Sequence, residues 1–153
     1  MAAFKAQNAT VVSIMLGTND ASDLHSMSPM VYRRNLLGII NGLRNEGNVR
    51  TIVLNYPPYT VPRPASHWSK ASLYRLRAYM TVISSLADGK FVVLGDTKAY
   101  AYFSEHPEEL GDGVHPNDTG YYNLGQLWAT AFKQVAGERH DLPAFLARAV
   151  PKK

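Results

Sequence analysis

Residues 10–20 read Thr-Val-Val-Ser-Ile-Met-Leu-Gly-Thr-Asn-Asp. The first seven form a short apolar run with several β-branched side chains, a pattern typical of a strand that is buried on both faces. Gly17 ends this run, and a polar segment that contains Asn19 follows it directly. Because ligands of open parallel sheets bind beyond the carboxyl ends of the strands, Gly17 and Asn19 are candidate site residues.

Two further apolar runs alternate with helical patterns along the chain. The predicted strands are 51–56 and 91–94, and the predicted helices run from Ser28-Pro29 to Gly47 and over about 66–87, 118–135 and 141–150. This alternation favours an α/β domain with a parallel, helix-covered sheet. We expect one domain over residues 1–153 with a sheet of about three strands, which is few for a doubly wound fold.

The composition excludes several classes of protein. With 46% hydrophobic and 18% charged residues, the chain has the balance of a globular protein rather than a disordered one. No apolar run approaches the roughly 18–20 residues that cross a bilayer, and residues 1–9 lack the apolar centre of a secretory signal. We therefore expect no membrane association, and the cellular location stays open. The absence of cysteine excludes disulfides, a thiol nucleophile and a cysteine-ligated metal.

The charged residues and histidines argue against two further kinds of partner. The net charge of +4 comes from 16 basic and 12 acidic residues, and the basic ones are scattered over two predicted helices and the C-terminus. Nucleic-acid binding favours one basic face with interleaved aromatic residues, so we disfavour it here. We expect no metal site either, because the dispersed histidines lack the spacing of zinc ligands: His25, His67, His106 and His140.

A second polar cluster lies between the third predicted strand and the helix at 118–135. Residues 111–117 read Gly-Asp-Gly-Val-His-Pro-Asn, which places Asp112 three residues before His115. A turn with this spacing can direct the carboxylate onto one imidazole nitrogen and leave the other free, which is what a general base needs. The same spacing fits a capping aspartate beside a surface histidine, and the pair alone leaves both interpretations open.

Three segments taken together resemble the SGNH/GDSL hydrolase superfamily. They are the strand end 15–20, the helix that begins at Ser28-Pro29 and contains Asn35-Leu36, and the block 112–117 before Gly120-Tyr121. The resemblance covers roughly residues 9–135 and looks most like the carbohydrate-esterase and acetyl-ester-hydrolase branches. It implies a flavodoxin-like, three-layer α/β/α fold, hydrolysis of a small ester or an acetylated carbohydrate, and no metal or organic cofactor.

The resemblance also implies roles for individual residues. Asn19, with Gly17 beside it, would donate its side-chain amide to the oxyanion of a tetrahedral intermediate. His115 would be the general base, and Asp112 would hold the imidazole and support it electrostatically.

The sequence departs from the family pattern at the nucleophile. The family's serine, in a Gly-Asp-Ser motif, has no counterpart here, and neither has the family's second conserved block. The chain thus resembles the C-terminal part of the family fold without its first two strands. Ser22 is only a weak candidate for the nucleophile. Three explanations stay open: a fragment with a separate upstream half, a degenerate homologue, or activation of water by His115. The alternative function is a non-catalytic carbohydrate-binding or interaction module.

The truncation changes what the first strand must do. Residues Thr10–Leu16, central in relatives, would form an exposed apolar edge of the sheet, and such edges promote association. We therefore expect this edge to be paired in a homo-oligomer or covered by the N-terminal segment.

Overall fold

The computed structural model describes residues 9–45, 48–64 and 66–138. Its sheet has three parallel strands in the order β1-β2-β3. The strands are β1 (Val11–Ile14), β2 (Thr51–Leu54) and β3 (Val92–Leu94), with Val11 opposite Thr51 and Ile52 opposite Val92. The predicted α/β class and three-stranded parallel sheet are thereby confirmed.

Five α-helices and one 3-10 helix connect or follow the strands within the described residues. They are α1 (Thr18–Ala21), α2 (Pro29–Asn45), α3 (Lys70–Leu86), α4 (Ala99–Glu105) and α5 (Asp118–Glu138), with the 3-10 helix at Pro107–Glu109. The helix predicted at 141–150 lies outside the described residues. In the part of the chain that the structure describes, no helix has the length and apolar content to span a membrane.

Helix α3 begins later than its sequence pattern predicts. The pattern favours a start near Ser66, whereas the helix begins after Ser69 because this residue caps it. The Ser69 hydroxyl accepts the N–H of Ala71 at 3.1 Å, and the Ser72 hydroxyl accepts the N–H of Ser69 at 3.2 Å. This reciprocal capping satisfies N–H groups that the first helical turn leaves unpaired, and it fixes the helix start there.

Helices cover both faces of the sheet. One face packs against α2 and α3 through a cluster of buried aliphatic and aromatic side chains: Val12, Ile14, Ile52, Leu54, Leu36, Ile40, Leu76, Tyr79 and Ile83. On the other face, Val53 and Val93 pack against Val135 and Phe132 of α5. The fold is therefore a three-layer α/β/α sandwich with β1 at one edge of its sheet. The three strands are parallel, so their carboxyl ends share one edge, and the candidate site residues follow those ends.

Candidate active site

Asp112 and His115 form a hydrogen-bonded pair in the loop before α5. Asp112 Oδ2 accepts from His115 Nδ1 at 2.7 Å, while Oδ1 accepts the backbone N–H of His115 at 2.7 Å and of Val114 at 2.8 Å. The backbone N–H and imidazole of His115, together with the N–H of Val114, hold the pKa of the Asp112 carboxyl well below its usual range. Asp112 is thus ionised at neutral pH. The other imidazole nitrogen, Nε2, has no hydrogen-bond partner among the described residues.

The local backbone explains why this turn forms. Gly113 has φ +88°, a left-handed conformation that favours glycine. The Gly113 N–H donates to the carbonyl of Leu110 at 3.0 Å, and the Gly111 N–H donates to the carbonyl of His115 at 2.9 Å. The side chain of Asn117 then caps α5 by accepting the N–H of Gly120 at 3.0 Å. The imidazole is therefore presented from a turn that is fixed at both ends, although its own side chain is 72% exposed.

Asn19 lies in a tight turn that a pair of stacked tyrosines supports. Gly17 has φ +122°, and a Cβ atom there would lie 3.1 Å from the ring of Tyr32 and 3.2 Å from that of Tyr79. The two rings stack with centroids 4.0 Å apart. The Tyr32 hydroxyl donates to the carbonyl of Leu16, and the Tyr79 hydroxyl donates to that of Asp20. Glycine at position 17 thus lets the chain lie against the rings, which hold the turn on both sides of Asn19.

Both tyrosines act here as neutral donors. Burial raises the pKa of Tyr79 to about 12, with the nearby carboxylate of Asp20 as a smaller cause. Burial raises the pKa of Tyr32 as well. Their hydroxyls therefore stay protonated, and the turn keeps these hydrogen bonds, across the physiological pH range.

The side chains of Asn19 and Ser22 differ in accessibility. Asn19 is exposed, and its carboxamide makes no hydrogen bond to the described residues. The amide is therefore accessible to a ligand. Ser22 is 4% exposed, and its hydroxyl donates to the carbonyl of Asn19 at 2.7 Å. The Ser22 hydroxyl thus stabilises the turn that carries Asn19.

A buried polar network, which sequence reasoning missed, connects the ends of the three strands. Asn55 directly follows β2 and is 1% exposed. Its Nδ2 donates to the hydroxyl of Ser13 at 2.8 Å and to the carbonyl of Ile14 at 3.1 Å, while its Oδ1 accepts the N–H of Asp96 at 2.8 Å. The Asp96 carboxylate accepts the N–H groups of Lys98 and Ala99 and so begins α4. The signal available in the sequence was a polar residue near the end of the predicted strand 51–56.

The loop between β2 and α3 contacts both candidate segments. The carbonyl of His67 accepts the N–H of Asp23 at 2.8 Å, just after the Asn19 turn. The N–H of Val61 donates to the carbonyl of Gly113 at 2.8 Å, inside the Asp112–His115 turn. A Cβ atom on Gly113 would lie 3.0 Å from the guanidinium carbon of Arg63, so this side chain covers the glycine. The predicted site residues therefore follow β1 and β3 at one edge of the sheet, and one loop borders both segments.

One group of side chains has the composition of a metal site. Ligand atoms of His106, Glu108 and Glu109 lie within 4.8 Å of one another. However, the Glu109 carboxylate accepts from the Tyr102 hydroxyl at 3.0 Å and from the Asn123 amide at 3.1 Å. These bonds hold the 3-10 helix against α4 and α5, which gives the carboxylate a structural role. The expectation that the protein has no metal site stays a prediction.

Comparison with known proteins agrees with the α/β/α architecture. The model of the GDSL-like lipase/acylhydrolase family matches residues 1–122. A mutant of Axe2, an acetyl-xylooligosaccharide esterase from Geobacillus Stearmophilus, is similar with a TM-score of 0.63 and 26% identity over 82% of this chain and 60% of its own. A carbohydrate esterase family 3 protein from Talaromyces cellulolyticus has a TM-score of 0.62 and 21% identity over 87% of this chain and 62% of its own. The comparison with curated protein sequences gives no match.

Proposed function

Because the chain belongs to the GDSL-like lipase/acylhydrolase family, we propose that it supplies the base and the oxyanion donor of a serine-type hydrolase of carboxylic esters. The observation that carries this proposal is the pairing of Asp112 with His115 Nδ1, which leaves Nε2 free at the sheet edge that also bears Asn19. Acetyl esters of carbohydrates are the proposed substrate class, since one structural relative is described as an acetyl-xylooligosaccharide esterase.

The proposed chemistry assigns one task to each group. His115 Nε2 accepts the proton of an attacking hydroxyl as its oxygen bonds to the ester carbonyl carbon, and the ionised Asp112 stabilises the resulting imidazolium. The carbonyl oxygen becomes an oxyanion that accepts a hydrogen bond from the Asn19 amide, a contact worth about 3–4 kcal/mol in comparable sites. The imidazolium then returns the proton to the departing alcohol. Water repeats the sequence on the acyl intermediate.

The nucleophile is the missing part of this scheme. Among the described residues, no hydroxyl is hydrogen-bonded to His115 Nε2, and that of Ser22 is engaged with the carbonyl of Asn19. The chain spans about 60% of the length of the solved relatives. We therefore propose that the chain alone hydrolyses esters weakly, through water activated by His115. Hydrolases that lose one triad member retain only residual catalysis.

The absence of a hydroxyl beside the described imidazole also favours a second candidate function. A domain that keeps this sheet edge without the nucleophile would serve as a non-catalytic carbohydrate-binding or interaction module. The homo-oligomer predicted through Thr10–Leu16 stays a further proposal, and the oligomeric state in solution tests it.

Hydrolysis of p-nitrophenyl acetate by His115→Ala tests the proposed function. His106→Ala is a matched control, because His106 is also accessible and also has a carboxylate partner, Glu108 at 3.3 Å. We expect His115→Ala to lower the rate by about tenfold or more and His106→Ala to leave it within about twofold. Equal rates in all three proteins would show that His115 does not contribute to the hydrolysis, and similar losses in both variants would show nonspecific imidazole chemistry. Binding of acetylated xylooligosaccharide without His115-dependent turnover would support the module instead.

A further inference from the structure

Arg75, in the second turn of α3, connects that helix to the segment that carries Asn19. Its Nε–H donates to the carbonyl of Ala21 at 2.7 Å, and its Nη2 forms an ion pair with the carboxylate of Asp23. Only 20% of the Arg75 side chain is exposed. The planar guanidinium can bind two acceptors at once, and here it binds the end of α1 and the loop that follows it.

Helix α1 is too short to keep its shape alone. It has four residues, Thr18–Ala21, whereas an isolated helix needs roughly 12–15 residues to be even marginally stable in water. Its last turn also lacks a basic side chain that could bind the unpaired carbonyls at the helix end. Other elements must therefore hold α1, and Arg75 supplies a donor to its last carbonyl from α3.

Two residues of α3 bind consecutive carbonyls of α1. The Tyr79 hydroxyl donates to the carbonyl of Asp20 at 3.2 Å, and the Nε–H of Arg75 donates to that of Ala21. Arg75 and Tyr79 are four residues apart, so they lie on the same face of α3. This face thus determines where the C-terminal half of α1 lies.

Asp23 is held by more than the guanidinium. Its carboxylate also accepts the hydroxyl of Ser72 at 3.2 Å, and its N–H donates to the carbonyl of His67 at 2.8 Å. Ser72 is fully buried and takes part in the capping of α3. The ion pair between Arg75 and Asp23 is therefore fixed by neighbouring hydrogen bonds, unlike a typical mobile pair at a protein surface.

The backbone of Asn19 is coupled to these contacts through Ser22. The N–H of Ser22 donates to the carbonyl of Asn19 at 3.1 Å, and its hydroxyl donates to the same carbonyl at 2.7 Å. Ser22 lies between Ala21 and Asp23, the two residues that Arg75 binds. A displacement of these residues moves Ser22 and, with it, Asn19. A shift of about 1 Å in an active-site group can cost about 10²-fold in rate.

We propose that Arg75 is a positioning residue, whose guanidinium fixes α1 and thereby orients the Asn19 amide toward the oxyanion. This inference rests on the proposed function, because the oxyanion forms only if the chain hydrolyses esters. Arg75 itself touches neither the substrate nor the reacting atoms in this scheme. It acts through the backbone of Asn19.

A double-mutant cycle with Asn19 tests the catalytic part of this proposal. We expect Arg75→Met, which keeps the apolar stem, to lower the His115-dependent hydrolysis of p-nitrophenyl acetate by about tenfold. In an Asn19→Ala background the same substitution should change the rate by less than about twofold, because the group that Arg75 positions is already absent. A role in stability alone would lower both rates equally.

Hydrogen exchange tests the positioning without any assay of activity. The amides of Ala21 and Ser22 donate to carbonyls within the turn, so their exchange reports its opening. We expect Arg75→Met to accelerate exchange at both amides by about tenfold or more. The amide of Ile52, which bonds the carbonyl of Phe91 inside the sheet, should stay within about twofold and shows that the effect is local.

Arg44→Met is the matched control. Arg44 also pairs with an aspartate, Asp88 at 3.6 Å, and its guanidinium also contacts a second group, the ring of Phe91. These residues lie near the amino end of β3, at the opposite edge of the sheet from Asn19. We expect Arg44→Met to leave the rate and the exchange of Ala21 and Ser22 within about twofold.

The outcomes separate this proposal from the proposed function. Unchanged exchange at Ala21 and Ser22, or an equal loss of rate with and without Asn19, would overturn the role of Arg75. Absence of His115-dependent hydrolysis in the unmodified chain would refute the hydrolase and with it the oxyanion step, and the exchange rates would then decide whether Arg75 holds α1. If Arg75→Met fails to fold, Asp23→Asn removes only the charge that Arg75 binds, and we expect an Asn19-dependent loss of about threefold.

Discussion

Asp112 holds His115 through both of its carboxylate oxygens. Oδ2 lies 2.7 Å from the imidazole Nδ1, and Oδ1 lies 2.7 Å from the backbone N of the same residue. The carboxylate thus fixes the ring and the backbone that carries it together. This arrangement orients an imidazole that is otherwise 72% exposed, so that Nε2 points away from its partner.

Asn19→Ala separates a role in catalysis from a role in stability. The Asn19 side chain is exposed and makes no hydrogen bond to the described residues, so we expect the free energy of unfolding to change by less than about 0.5 kcal/mol. If its amide donates to the oxyanion, the His115-dependent rate of ester hydrolysis falls by about 10²-fold. Rate assays and urea unfolding measure the two effects. Asn41→Ala, at another exposed asparagine, is the control, and an unchanged rate in Asn19→Ala would contradict the oxyanion role.

Asp112→Asn is expected to change the response of the protein to acid. The folded-state pKa of Asp112 lies below its usual value, so this carboxylate stabilises the fold above about pH 4 and loses that effect as the pH falls. Because the pair is largely exposed, we expect the variant to melt only about 2–4 °C lower at pH 6. The difference in Tm should narrow toward pH 2. Melting curves at several pH values test this, and a constant difference would rule out a contribution from ionised Asp112.

The sequence predicted the parts of the fold and site that depend on near neighbours along the chain. The apolar run Val11–Ile14 identified β1, since both of its faces meet apolar helices. The contact between Asp112 and His115 followed from their spacing and the glycine between them, because the bonds that the Asp112 carboxylate makes to Val114 and His115 span at most three residues.

The parts that the sequence did not predict depend on distant residues. Asn55 has its role only because Ser13 and Asp96, which are far from it in sequence, lie beside it in the sheet. Helix α1 has only four residues, too few to show a helical period, and the Tyr79 hydroxyl holds it from α3. The start of α3 at Lys70 depended on the side chain of Ser69, which the apolar periodicity does not report.

Gly113→Ala tests whether the conformation of the Asp112–His115 turn requires glycine. At φ +88° a Cβ atom costs about 1–2 kcal/mol, and we expect this loss in the free energy of unfolding. Arg63 covers the glycine with the flexible end of its side chain and can move away, so most of the loss should remain in an Arg63→Ala background. Gly111→Ala is the control, because its Cβ has 3.8 Å of clearance, and it should be nearly neutral. A loss that disappears in the Arg63→Ala background would indicate a collision rather than backbone strain.

Asn55→Asp tests the buried network that connects the three strand ends. The substitution removes the Nδ2 donor to Ser13 and Ile14 and places an ionisable group where only 1% of the residue is exposed. We expect a loss of about 2–4 kcal/mol at pH 8 in the free energy of unfolding. Burial disfavours the charged form, so the folded-state pKa of the new carboxyl rises above its unfolded value. The variant therefore regains stability as the pH falls from 8 to 5, when the carboxyl binds a proton in the folded state.

Urea unfolding at several pH values measures this, with exposed Asn41→Asp as the control that should stay within about 0.5 kcal/mol of the unmodified chain. A loss that is independent of pH would mean that the new group is solvated, and that the strand ends open more readily than the network implies.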